Sequence, residues 1–120
     1  MKKVNQETQD LYIKSLESTL NKLTNAYNSM TEKGSNTTLV NKRRSSVKIG
    51  LESLKNAWGK GYFFYDEEKI LTCKDILQGI IPSIEKQIAK AREGSSQKTL
   101  NERRLNAIKL AIKSLDNRLK

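Results

Sequence analysis

The chain has 120 residues, no histidine, one cysteine and one proline, and its 23 Lys and Arg against 13 Asp and Glu give a net charge of +10. That length suits a single domain that buries a core without disulfide or metal staples. A lone Cys73 without any histidine excludes an internal disulfide, zinc coordination and Cys–His catalysis.

The basic N-terminal Met1-Lys2-Lys3 runs into polar Asn5 to Asp10, with no apolar core to make it a signal peptide. Apolar runs are everywhere far too short to span a bilayer, so a cytoplasmic protein is expected.

The first helix is predicted over about 4–33. Tyr12, Leu16, Leu20, Leu23, Tyr27 and Met30 recur every three or four residues and so form one helical face. Gly34-Ser35-Asn36 ends it, because glycine tolerates the left-handed position just past a helix.

A second helix is predicted over 38–58, with Thr38 as its N-cap and Val40, Val47, Leu51, Leu54 and Trp58 as its stripe. Gly50 lies inside that helix, and its register partner Ala111 suggests close helix packing there rather than a break.

Gly59-Lys60-Gly61 breaks the second helix, and four consecutive aromatics follow, Tyr62, Phe63, Phe64 and Tyr65. Asp66-Glu67-Glu68 then sets carboxylates at the positive end of a third helix, predicted over 66–93. A Tyr65–Ile70 staple would enclose an Asp66 cap. The stripe of this helix is Ile70, Cys73, Leu77, Ile81, Ile84, Ile88 and Ala91. Gly79 and Pro82 interrupt the pattern, which predicts a kink or a brief break.

Gly94-Ser95-Ser96 ends the third helix. A Thr99/Glu102 capping box is expected to open the fourth, whose stripe is Leu105, Ile108, Ile112, Leu115 and Leu119.

Residues 12–56 align with 73–117 at a constant offset of 61, with ten identities, among them Leu16/Leu77, Arg43/Arg104, Lys48/Lys109 and Ser53/Ser114. Together these features predict an all-α, antiparallel four-helix bundle built from two tandem hairpins related by a pseudo-two-fold. Within the single domain 1–120, hairpin one is 1–59, the linker 60–65 and hairpin two 66–120.

Chemistry has few carriers. The three adjacent carboxylates at 66–68 point about 100° apart on a helix, so they do not converge on one metal ion or one proton. No phosphate-binding glycine loop and no Glu-x-x-His pair occur. No catalytic residue, metal site or cofactor is therefore expected.

Two features remain as candidates. Lys42, Arg43, Arg44 and Lys48, with Arg103, Arg104 and Lys109 at matching places in the second copy, form paired basic patches suited to phosphates. The aromatic linker Tyr62–Tyr65 either plugs one end of the bundle or stands out as a protein-binding anchor.

In size, basicity and paired hairpins the chain resembles small bacterial immunity proteins that form four-helix bundles. That resemblance implies an architecture and a class of small regulator, and leaves function open. The expectation is a non-catalytic protein-interaction module. Binding of nucleic acid or of an anionic membrane surface through the basic helices is the alternative.

Overall fold

Apolar residues at helical spacing must be covered, and four amphipathic helices cover one another. In the computed structural model, which describes residues 4–120, the helices are α1 (Gln6–Glu32), α2 (Thr38–Ala57), α3 (Glu67–Lys90) and α4 (Ser96–Arg118). Residues 1–3, where the domain and leader readings begin, lie outside the described residues. The described residues contain no strand, and the helices pack as an antiparallel bundle.

Each helix turns the predicted stripe inward. Leu16, Val47, Leu54, Leu77, Ile108 and Leu115 are fully buried, and Ile70, Cys73 and Ile84 join them. Tyr12, Leu20, Leu23, Trp58, Ile88 and Leu119 pack around this centre.

Neighbours in the bundle are not equivalent. α1 touches α2 and α4, α3 touches the same two, and α1 and α3 do not meet. The central contact is therefore α2 against α4.

Its cause is a row of small residues on each helix at i, i+4 and i+7. Ser46, Gly50 and Ser53 on α2 are buried, as are Ala107, Ala111 and Ser114 on α4. A Cβ added at Gly50 would lie 3.3 Å from the Ala111 Cβ and 3.0 Å from the Leu77 Cδ1. The expected close packing at Gly50 is thus present. Three residues on, the buried Ser53 and Ser114 hydroxyls meet at 2.8 Å.

Helix ends differ from expectation in places. α1 closes as predicted on a left-handed glycine, and α2, expected only to break at Gly59, closes the same way. At Gly34 (φ 72°) and Gly59 (φ 74°), the next residue's N–H reaches back to the Met30 and Lys55 carbonyls.

Thr38 is not the N-cap of α2. Thr37 holds that place without a side-chain bond, and the Asn36 carboxamide instead accepts from the Thr38 N–H at 2.9 Å. Asparagine makes this two-residue turn readily, which pre-empts the threonine.

The Thr99/Glu102 capping box is also absent. Ser95 is extended and its hydroxyl accepts from the Lys98 N–H at 3.1 Å, so α4 begins a turn earlier than expected. Asp66 does cap α3, accepting from the Lys69 N–H at 2.8 Å.

α3 runs unbroken through Pro82. Pro82 and the two residues whose backbone it affects, Gln78 and Gly79, all face solvent. The Gln78 carbonyl that loses its partner can therefore be hydrated, and no break is needed.

Candidate functional site: an aromatic pair and separated basic clefts

Residues 62–65 join α2 to α3 without regular secondary structure, and exposed and half-buried side chains alternate along them. The four aromatics therefore divide into two pairs. Phe63 and Tyr65 turn inward, packing against the core with their ring centroids 5.1 Å apart and edge to face. Tyr62 and Phe64 turn outward, 82% and 85% exposed, and their rings stack at 6.0 Å with 16° between planes.

The inward pair is fixed at both residues. Tyr65 donates its hydroxyl proton to the Glu52 carboxylate at 3.0 Å, and burial together with that carboxylate raises the phenol's pKa. Phe63 lies under the Arg118 guanidinium at 4.0 Å.

Arg118 is the larger fixture. From the last turn of α4 its Nε donates to the Ser53 Oγ at 2.8 Å. Its Nη2 donates to the Ser53 carbonyl and the Asn56 Oδ1, both at 2.9 Å. The charge thus sits at the C-terminal end of α2, where the helix dipole is negative.

Proton inventory orders the neighbouring hydroxyls. Ser114 donates to the Ala111 carbonyl at 2.9 Å, so its oxygen accepts from Ser53, whose own oxygen accepts from Arg118. Asn56, which accepts from Arg118, donates its Nδ2 proton to the Gly61 carbonyl at 2.7 Å, so one chain of hydrogen bonds ties α4, α2 and the linker together.

The predicted basic residues are not gathered into one stripe. Arg103 and Arg104 line a cleft of about 330 Å³ between α1 and α4, joined there by Lys14 and Lys22 of α1. Arg44 and Lys48 line a separate cleft between α1 and α2. Lys42 faces α3 beside Lys69. Lys109 lies near the start of α1 beside Lys113. Arg43 is half-buried on α2 and lines none of these clefts.

Two arginines share a local device. The Asn41 Oδ1 accepts from Arg44 at 2.9 Å and the Asn101 Oδ1 from Arg104 at 3.2 Å, each across three residues of its helix. In both arginines the Nε is buried without a hydrogen-bond partner. The Arg44 guanidinium is covered by the Tyr27 ring at 4.4 Å. No arginine makes an ion pair within 4.0 Å among the described residues, whereas Lys55, Lys60, Lys74, Lys98 and Lys120 all do.

Sequence reading missed Lys14 and Lys22, which lie off the apolar stripe that drew attention to α1. A usable signal was the face carrying Leu11, Ser15, Ser18 and Lys22 at i, i+4, i+7 and i+11. It also missed the paired Asn-x-x-Arg segments, Asn41–Arg44 and Asn101–Arg104, because they stand one residue out of the 61-residue register.

Cys73 is buried, donates to the Ser46 carbonyl at 3.1 Å, and has its pKa pushed up to about 11 by burial. It remains an un-ionised thiol, a poor nucleophile. Among the described residues no three His, Cys, Asp or Glu side chains converge on a metal-sized site, and no helix is long and apolar enough to cross a membrane. No known family, curated protein or solved structure matches the chain.

Proposed function

We propose that this chain is a non-catalytic, cytoplasmic binding module whose partner is another protein and whose anchor is the Tyr62–Phe64 pair. One observation carries the reading. Two large aromatic rings stand more than four-fifths exposed on a segment whose alternate residues are pinned by Arg118 and Glu52. A floppy aromatic tip would lose conformational entropy on docking, whereas a held one loses little. Tyr and Phe bury much area with few rotatable bonds and recur at the energetic centres of interfaces.

The +10 charge favours an acidic partner, and the scattered lysines would speed encounter more than they would tighten the complex. A regulator or adaptor role suits a chain this small. The two hairpins read as copies of one unit, a reading supported by the Ser53–Ser114 and Gly50–Ala111 contacts, both between residues 61 apart.

A second reading, binding of nucleic acid or an anionic surface through the basic helices, is favoured by the arginines that lack carboxylate partners. The distribution of those residues over separate clefts suits local anion capture better than a continuous groove.

The test is affinity capture from the native cell with the wild-type chain and with Tyr62→Ala/Phe64→Ala. A protein partner retained by the first and lost by the second, at unchanged thermal stability, is the expected result. Identical captured sets would refute the reading.

A further inference from the structure

The cleft between α1 and α4 collects positive charge without neutralising it. Lys14 and Lys22 enter from α1, Arg103 and Arg104 from α4, and no Asp or Glu lines its walls. None of these four cations makes an ion pair within 4.0 Å among the described residues.

Arg104 is the most telling of them. It is half-buried, one arm is held by Asn101, and its Nε–H is buried with nothing to receive it. Arginine keeps its proton at any accessible pH, so that donor stays in place. A buried donor without an acceptor is a standing cost that an incoming oxygen removes. Desolvation also lowers the Arg104 pKa, as expected of a charge lacking a counter-ion.

Two further features give the cleft its polarity. Ser15 and Ser18 line it beside the lysines. Gln97 brings in the first turn of α4, the positive end of a helix whose first turn holds no acidic residue. Leu11 and Leu100, 40% and 49% exposed, supply an apolar wall.

The matching arginine on α2 lacks this setting, since Arg44 has the Tyr27 ring as an electrostatic partner and shares its cleft with Lys48 alone among cations.

We infer that the α1–α4 cleft binds the phosphate groups of a small phosphorylated molecule. Four cations outnumber a single carboxylate, whereas a diphosphate carries enough charge and enough acceptor oxygens to engage both arginines and the lysines at once. A volume of about 330 Å³ admits such a group with a short organic portion against Leu11 and Leu100. The site is separate from Tyr62 and Phe64, so it stands whether or not those residues bind a protein.

Calorimetric titration of the full chain with pyrophosphate at low salt tests it. Saturable binding that weakens as salt rises is the expected result. Arg104→Gln should lower the affinity at least tenfold. Because Arg104→Gln removes a half-buried group, the surface variant Lys14→Gln/Lys22→Gln serves as a second reading and should lower affinity comparably, while Lys109→Gln in another cleft should leave it unchanged.

Binding of an adenosine diphosphate probe tighter than pyrophosphate would support a nucleotide-like ligand using the leucine wall. Absence of pyrophosphate binding at millimolar concentration, equal loss from Lys109→Gln, or binding only to phosphatidylglycerol vesicles or single-stranded DNA would overturn the inference.

Discussion

Removing the Arg118 guanidinium should loosen three parts of the molecule together. The group donates to the Ser53 hydroxyl, the Ser53 carbonyl and the Asn56 carboxamide, and covers the Phe63 ring. Hydrogen bonds to a charged group contribute about 1.5–3 kcal/mol each when fully realised, and an exposed cation–π contact about 0.5–1 kcal/mol. These overlap on one side chain, and desolvation of the charge, seen in its lowered pKa, offsets part of the gain. A net loss of about 3 kcal/mol for Arg118→Met follows, since methionine keeps most of the apolar stem.

At about 4 °C per kcal/mol for a chain of this length, the midpoint of thermal unfolding should fall by roughly 12 °C. Urea unfolding of Arg118→Met, Phe63→Leu and the double variant measures both the loss and the coupling. A coupling energy of about 0.5–1 kcal/mol is expected between the two sites. A change below about 0.5 kcal/mol for Arg118→Met would refute the reasoning, because that is the range of an ordinary surface substitution.

Gly50→Val puts branched carbon where an added Cβ already lies 3.0 Å from Leu77 and 3.3 Å from Ala111, so urea unfolding should show a destabilisation of about 1–3 kcal/mol from overpacking. Lys74 donates to Asp116 at 2.9 Å and holds that carboxyl below its ordinary pKa of 3.8. A depressed carboxyl adds stability that is fully present above its unfolded value and lost as pH falls through the folded value. Thermal midpoints of wild type should therefore drop below pH 4 more steeply than those of Lys74→Gln. Cys73 has its pKa raised to about 11, so native protein at pH 8 should resist iodoacetamide and react quickly once urea is added. The same shift makes stability decline as pH rises from about 9 towards 11, because the unfolded thiol ionises first, and Cys73→Ser should flatten that limb.

The helices and their buried faces were readable in advance because leucine and isoleucine recur at the helical period over several turns. Leu16, Leu54, Leu77 and Leu115 all came from those stripes and are fully buried. Helix starts were less readable. Thr38 and Thr99 are adequate caps by residue type, but Asn36 and Ser95 reach the orphan N–H groups first, a choice set by backbone angles. The chemistry of Pro82 alone predicts an interruption, whereas its place on the solvent face leaves the freed Gln78 carbonyl open to water and α3 unbroken.

The linker shows the same limit. Four adjacent aromatics read as one unit by composition, yet only Phe63 and Tyr65 find core to pack against, so Tyr62 and Phe64 part from them and stand exposed. The basic clefts were half readable. Arg103 and Arg104 stand out as a charged pair, while Lys14 and Lys22 lie more than eighty residues earlier in the chain and join them only through the packing of α1 on α4.

The most direct test of the central claim, that Tyr62 and Phe64 form a protein-docking anchor on a held segment, is site-specific photocrosslinking inside the native cell. A photoreactive phenylalanine at position 64 should give one predominant adduct with a second protein. The same probe at Leu71, an exposed apolar residue on α3, should not give that adduct. Equal labelling from both positions, or an adduct at position 64 with nucleic acid alone, would contradict the account.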